Sequence, residues 1–138
     1  MATFLLEIVT PDRVAYSEQV DMVVVPGLEG QMGILPHHIP LFAQLTHGEV
    51  KIVKGKEDIY LAIGGGYVEV MKDKVEVLVT RAKHTDELDE KEILEARARA
   101  EKILKEKPEG EDMEAAEQLL RSTLVDLKLF SRRKRRAS

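Results

Sequence analysis

The chain has 138 residues, with 21 Lys and Arg against 25 Asp and Glu, and it contains no Cys or Trp. This length predicts one domain, or one domain with a small appendage, and the lack of Cys excludes disulfides and thiolate metal sites. The net charge of −4 argues against a general nucleic-acid binder. Because no apolar run approaches the ~20 residues that span a bilayer, and the N-terminus shows no signal-peptide pattern, we expect a soluble protein.

The first 84 residues predict a series of short strands. Apolar and β-branched clusters recur roughly every 8 to 12 residues, which is typical of an antiparallel sandwich or barrel. Val75, Val77 and Val79 alternate with polar residues, so the last strand is expected to be half buried. Eight of the nine Gly and four of the five Pro punctuate this part. The predicted strands are Phe4–Val9, Val20–Val25, Glu49–Val53, Ile59–Ile63, Tyr67–Met71 and Val75–Thr80.

From Thr85 onward the sequence predicts two helices. Thr85 or Asp86 is expected to cap the first helix, which runs from about Leu88 to Lys107, and Pro108-Glu109-Gly110 ends it. Asp112 is expected to cap the second helix. Both helices carry an apolar stripe, so we predict an antiparallel hairpin and place the domains at 1–84 and 85–138. The stripes are Ile93, Ala96, Ala100, Ile103 and Leu104, and then Met113, Ala116, Leu120, Thr123, Leu127 and Phe130.

The C-terminus carries five consecutive basic residues, which we call the basic run. Because neighbouring like charges repel one another, we expect this segment to fray into solvent. Its members are Arg132, Arg133, Lys134, Arg135 and Arg136.

No pattern in the sequence predicts an active site. The chain lacks a phosphate-binding Gly-rich loop, a His-Glu-x-x-His motif and a Gly-x-Ser-x-Gly motif. Gly64-Gly65-Gly66 precedes a strand pattern, which favours a bulge or a close backbone approach over a phosphate site. His37 and His38 point to opposite sides of an extended chain, and their spacing to His47 fits no zinc motif. We therefore expect no catalytic residue, no metal and no cofactor.

The segment from Val23 to Leu41 reads VVVPGLEGQMGILPHHIPL. It resembles the signature of the epsilon subunit of the F-type ATP synthase, in which a strand leads to a Gly-x-x-Gly-Ile/Val-Leu-Pro-x-His-x-Pro-Leu loop. EIVTPD at 7–12, GEV at 48–50, GGYVEV at 65–70 and VEVLV at 75–79 also match. The resemblance covers essentially the whole chain and implies an α+β fold, with an antiparallel β-sandwich of about ten strands followed by a C-terminal helical hairpin.

The resemblance implies a non-catalytic subunit of the central stalk, which couples rotation of the rotor ring to ATP synthesis by a proton- or sodium-translocating enzyme. The sandwich would bind the gamma subunit and the c subunits of the ring. The subunit would be peripheral at the cytoplasmic face of the bacterial plasma membrane, with membrane contact only through the ring. In the family, the loop that matches residues 29–38 faces the ring, so the resemblance assigns this contact to Glu29, Gln31 and His38.

The resemblance also implies that the hairpin is a regulator. In the family it folds against the sandwich or extends along gamma to hinder ATP hydrolysis, with transient contact to the alpha and beta subunits. The basic run Arg132–Arg136 would then contact the acidic C-terminal segment of the beta subunit. A solubilising tail without a partner is the alternative.

One family feature is absent. Members that bind ATP at the hairpin carry Leu/Ile-Asp-x-x-Arg-Ala, whereas here Leu88 and Asp89 are followed by Glu92, whose charge opposes phosphate binding. Arg97, Arg99 and Arg121 remain as phosphate partners or, alternatively, as ion-pair residues on a solvated helix face. We expect no nucleotide-binding site.

Without the resemblance, the residues are also compatible with two other classes of protein. A non-catalytic adaptor could use the basic run to bind RNA or an acidic membrane surface, and its binding would fall steeply with salt. A small enzyme would need a pocket with perturbed titratable groups.

Overall fold

A computed structural model describes residues 2–137. The chain divides into two units, of which one ends at His84 and the other begins at Thr85. The first unit consists of ten strands, and the second of a 3₁₀ turn and two helices. The strands are β1 Phe4–Val9, β2 Val14–Val20, β3 Met22–Gly27, β4 Gly30–Ile34, β5 Leu41–Leu45, β6 Gly48–Lys54, β7 Glu57–Ile63, β8 Gly66–Val70, β9 Lys74–Val79 and β10 Ala82–His84.

The strands form one hydrogen-bonded path in the order β10-β7-β6-β3-β5-β8-β9-β1-β2, with β4 paired to β3 beside it. Strand β2, at one end of the path, lies beside β6, and Lys54 on β6 reaches Glu18 on β2 across 2.7 Å. The predicted fold class is confirmed. One pair departs from the antiparallel pattern, since β1 runs parallel to β9. These strands lie far apart in sequence, so no hairpin turn imposes an antiparallel register on them.

All six predicted strands are present, although the structure divides one of them. Asp21 separates β2 from β3, so the strand predicted from Val20 to Val25 corresponds to β3, and its predicted start at Val20 is wrong. Prediction missed most of β2, where Ser17, Glu18 and Gln19 are all exposed and leave no run of alternating apolar residues. It also missed β4 and β5, and the three-residue strand β10.

The core of the sandwich comes from alternate residues of its strands, as a period of two requires. Val75, Val77 and Val79 are buried as predicted, while Leu78 between them is exposed. The largest fully buried side chains are Leu6, Ile8, Ile34, Leu45, Ile52, Leu61, Ile63, Val20, Val23, Val25, Val50 and Val68.

Helix α1 spans Glu90–Lys105 and follows a 3₁₀ turn at Thr85–Glu87. The predicted caps at Thr85 or Asp86 are wrong, because this turn occupies their position. Asp89 caps the helix instead, and its carboxylate accepts a hydrogen bond of 2.9 Å from the backbone N–H of Lys91.

Helix α2 spans Glu111–Ala137. Asp112 lies inside its first turn, so the predicted cap there is wrong. Gly110 precedes the helix with a φ of 63°, a conformation that glycine adopts readily. The connection therefore runs from 106 to 110, close to the predicted length.

The buried faces of the helices agree only in part with the predicted stripes. Ile93 and Ala100 are buried on α1, and Ala116 and Thr123 on α2, as expected. Further along α2 the buried positions are Asp126 and Leu129 rather than Leu127 and Phe130, which are half buried. The shift follows from the unequal lengths of the helices, because the distal part of α2 packs on the 3₁₀ turn instead of α1.

Candidate functional site

The segment assigned to the rotor ring is in part a β-hairpin. Leu28 and Glu29 connect β3 to β4, and Pro26 pairs with Gln31. Gly30 has a φ of 138°, which only glycine adopts without strain. The sequence predicts a loop over the whole segment, and this is wrong for Gln31, which lies on β4.

Beside this turn lies a cleft of about 390 Å³, which we call the tip cleft. Glu29 and Gln31 both line it, and both are exposed, so the structure brings two of the three predicted contact residues together. The residues that line it are Gly27, Leu28, Glu29, Gly30, Gln31, Met32, Ala43 and Gln44.

His38 is not among the residues that line the tip cleft. It lies on the connection between β4 and β5, where its backbone N–H donates to the carbonyl of Leu35 at 3.2 Å. Its ring Nδ1 donates to the carbonyl oxygen of Ile39 at 2.7 Å, because a carbonyl oxygen only accepts. His38 is therefore held against its own loop, on a backbone that His37 turns with a φ of 67°.

Sequence reasoning missed the apolar character of this region. Leu28, Leu35 and Ile39 have 61, 57 and 75% of their surfaces exposed. All three lie in connections between strands, where no period of two directs a side chain inward. The sequence signal that could have indicated these exposed side chains was an isolated apolar residue among Gly and Pro.

A second exposed surface lies on the outer face of β5, β8 and β9. We call Phe42, Tyr67 and Leu78 the outer patch; their exposed fractions are 62, 46 and 44%. The register pairs Tyr67 with Leu78 across β8 and β9. The rings of Phe42 and Tyr67 stack with centroids 5.4 Å apart. The outer patch is therefore a candidate interaction surface of the sandwich.

The glycine cluster has a packing explanation, as predicted. A Cβ on Gly66 would collide with the carbonyl oxygen of Leu78 and lie 2.8 Å from the Cα of Val79. At Gly64 a Cβ would collide with the hydroxyl of Thr80. Both glycines therefore allow β8 and β9 and their connections to approach closely.

The basic run is helical, so the predicted fraying is wrong. Helix α2 continues through all five residues, and Arg132 and Arg133 are half buried, whereas Lys134, Arg135 and Arg136 are exposed. Basic residues at the C-terminus of a helix face the negative end of its dipole, which stabilises this end.

Two ion pairs on the surface of the sandwich each shift the pKa of one side chain. The hydrogen bond from Lys54, and its positive charge, hold the pKa of Glu18 below its usual value. The hydrogen bond with Glu7 raises the pKa of Lys74. Burial raises the pKa of Tyr16 to about 12.

On α1, Arg97 Nε donates to Glu101 Oε1 at 2.8 Å, so Arg97 is an ion-pair residue of the helix face. Within residues 2–137, no cluster of three or more His, Asp or Glu side chains is arranged as a metal site. No helix in that range is long and apolar enough to cross a bilayer.

The fold and its surfaces define a two-part interaction protein, with a β-sandwich that exposes apolar residues and a helical hairpin that ends in basic ones. The family model for the ATP synthase delta/epsilon chain β-sandwich domain matches residues 3–85. The chain belongs to the family of ATP synthase epsilon chains, the non-catalytic stalk subunits of the F-type enzyme. The resemblance seen in the sequence is thus confirmed.

Two curated relatives show the extent of the match. The ATP synthase epsilon chain of Dehalococcoides mccartyi strain BAV1 is 42% identical over 136 residues, which cover 98% of this chain and 97% of the relative. That of Bacillus cytotoxicus is 41% identical over 124 residues, or 90% of this chain and 93% of the relative. The match therefore includes the helical hairpin as well as the sandwich.

Solved structures share the fold. A chain in the mitochondrial ATP synthase of Euglena gracilis, in a structure of OSCP, F1 and the c-ring, aligns with a TM-score of 0.69 at 20% identity and covers 100% of this chain and 83% of its own length. A chain in the central stalk and c-ring of the Tetrahymena thermophila mitochondrial enzyme gives 0.59 at 18% identity, covering 94% of this chain and 97% of its own length. None of these relatives supports the alternative of an RNA- or membrane-binding adaptor.

Proposed function

We propose that this chain is the central-stalk subunit that links the rotor ring to the gamma subunit and couples ring rotation to ATP synthesis, and that its hairpin hinders ATP hydrolysis. The observation that carries the proposal is the exposed apolar surface of the sandwich. A stalk subunit must hold two partners at once, and the sandwich offers the outer patch and the tip cleft for this purpose. The coupling ion is a proton or sodium.

The outer patch is proposed as the contact with gamma. Aromatic side chains with large exposed area supply much of the energy of protein interfaces. Phe42 and Tyr67 are already stacked in the free chain, so binding would cost little additional ordering of these side chains.

The tip cleft is proposed as the contact with the c subunits. Glu29 and Gln31 supply polar groups that suit the polar loops of a ring, and Leu28 at the turn supplies an apolar anchor. His38 would contribute from the neighbouring connection. The turn between β3 and β4 has only two residues, and paired strands flank it. A short turn that is held on both sides suits a contact that transmits torque.

The hairpin is proposed as the regulator of hydrolysis, through transient contact with the alpha and beta subunits. Its basic run, Arg132–Arg136, would pair with the acidic C-terminal segment of beta. The buried residues Ala100 and Ala116 give shallow packing between the helices, so little apolar area is exchanged when the hairpin changes partner. We also propose a peripheral location at the cytoplasmic face of the bacterial plasma membrane, with membrane contact only through the ring.

The experiment is co-purification of the tagged chain from cells that lack their own copy. We expect the wild-type chain to retain gamma and the c subunits, and Phe42→Asp with Leu78→Asp to lose gamma while staying folded by circular dichroism. Val14→Asp is the matched control, because Val14 is an equally exposed apolar residue on β2. Retention of gamma by the double variant would contradict the assignment of the outer patch.

A further inference from the structure

Arg133, a member of the basic run, contacts the start of the same domain. Its Nη1 donates to the carbonyl oxygen of Thr85 at 2.7 Å and to that of Leu88 at 3.1 Å. Its guanidinium carbon lies 4.5 Å from the centroid of the Phe130 ring. We call this set of contacts the Arg133 clasp.

The clasp follows from helix lengths and helical spacing. Helix α2 has 27 residues and α1 has 16, so about 11 residues of α2, or ~16 Å, extend beyond α1. Arg133 follows Asp126 by seven positions and Leu129 by four, and both of these residues are buried. Arg133 therefore lies on the inner stripe of the distal part of α2.

The two acceptors are backbone groups at the turn that begins the domain. The carbonyl of Thr85 also accepts the 3₁₀ hydrogen bond from the N–H of Leu88, and the carbonyl of Leu88 lies just before the cap of α1. Thr85 and Leu88 are buried, so both carbonyls depend on partners within the protein. One guanidinium thus joins the last turns of α2 to the first residues of the hairpin.

We propose that the Arg133 clasp holds the distal end of α2 closed and that an acidic protein surface opens it by competing for the guanidinium. The proposal deepens the proposed function, on which it rests, because it names the contact that must break when the hairpin changes partner. Arginine binds carboxylates in charge-assisted, often bidentate pairs, which are stronger than its bonds to neutral carbonyls. A cluster of carboxylates therefore favours the open state through Arg133 itself.

The first test measures backbone hydrogen exchange in the isolated full chain. We expect Arg133→Gln to accelerate exchange in the last two turns of α2 about tenfold, because two hydrogen bonds to buried carbonyls are lost. Lys134→Gln is the matched control, since it removes one positive charge from an exposed neighbour, and it should leave these rates unchanged. Equal exchange rates in the two variants would contradict the proposal that the Arg133 clasp holds the end of α2 closed.

The second test adds poly-L-glutamate, with sodium chloride at equal ionic strength as the reference. We expect the polymer to accelerate exchange at the end of α2 in the wild type and in Lys134→Gln, and to add nothing in Arg133→Gln. Two results would contradict the proposal that an acidic surface opens the clasp. One is an unchanged exchange rate in the wild type with the polymer bound, and the other is equal acceleration in all three chains. Both tests use the free chain, so a failure here is distinct from a failure of the proposed inhibition, which only ATP hydrolysis by the assembled complex measures.

Discussion

Lys54 Nζ lies 2.7 Å from Glu18 Oε1 and so joins β6 to β2 across the closure of the sandwich. The pair is exposed, and the proximity of the ammonium lowers the pKa of Glu18 through a hydrogen bond and its charge. A lowered carboxyl pKa contributes stability above the unfolded-state pKa, and this contribution is lost as the pH falls through the folded-state pKa. The pair thus favours the closed sandwich at neutral pH more than in acid.

The first prediction follows from this pair. Lys54→Gln should raise the pKa of Glu18, measured by NMR titration of its side-chain carbonyl carbon, and should flatten the dependence of stability on pH in the acid range. Lys51→Gln is the control, because the Lys51 amine lies near Asp58 on the neighbouring strand rather than near Glu18. An unchanged Glu18 titration in Lys54→Gln would refute the assigned cause.

The second prediction concerns the tip cleft. Gln31→Asp should weaken ATP-driven ion pumping in reconstituted vesicles more than His38→Asp does, because Gln31 lines the cleft and His38 is bonded to its own loop. The added charge should act on the partner rather than on the fold, since Gln31 is exposed. Hydrolysis is measured in parallel to separate coupling from turnover.

Gln19→Asp is the matched control for the tip cleft, because it places the same charge on the exposed edge strand β2. Full pumping by the double variant Gln31→Asp with His38→Asp, in a normally assembled complex, would contradict the assignment of both residues to the ring contact.

The third prediction concerns the glycine cluster. Gly66→Ala should lower the free energy of unfolding by about 1–3 kcal/mol, because the new methyl group meets the backbone of β9. Gly65→Ala is a close control, since its Cβ would make an ordinary contact of 3.5 Å with the carbonyl of Leu45. Urea denaturation checks the contrast, and equal midpoints for the two variants would count against close strand approach as the reason for Gly66.

The fourth prediction is that the sandwich folds without the hairpin. A fragment that ends at His84 should keep a cooperative unfolding transition and bind gamma, because β10 pairs with β7 through Lys83 and His84. Arg13 also donates to the carbonyl of Ala82 at 2.8 Å, which fixes this edge of the sheet. A fragment that ends at Ala82 is the comparison, and we expect it to be less stable. An unfolded His84 fragment would show that the two units depend on each other.

Local pattern was enough to predict the strands and helices whose burial is regular. The alternation of Val75, Val77 and Val79 predicts β9 because one side of that strand faces the core. It was insufficient for β2 and β4, whose pairing partners rather than their own side chains determine their conformation. The outer patch was also beyond local pattern, since Phe42 and Tyr67 meet only through the pairing of β5 with β8.

The conformation of the basic run was also beyond prediction from local sequence pattern. Repulsion between neighbouring charges predicts disorder, but the helical period separates Arg133, on the inner stripe, from its exposed neighbour Lys134. The length of α2 relative to α1 and the helical spacing together bring Arg133 to Thr85 and Leu88.

The fifth prediction concerns the effect of the basic run on ATP hydrolysis. Replacing Lys134, Arg135 and Arg136 together by Gln should speed hydrolysis by the assembled soluble complex at low ionic strength, because these exposed charges would stabilise the extended hairpin against an acidic surface of beta. Arg133→Gln should also speed hydrolysis, because the carboxylate pair that it loses in the extended state is stronger than its bonds to the neutral carbonyls of the clasp. Each exposed pair contributes ~1 kcal/mol or less and is screened by salt, so the effect of the triple variant should shrink as salt rises. A triple variant with wild-type rates at every ionic strength would show that the tail has no acidic partner in the complex.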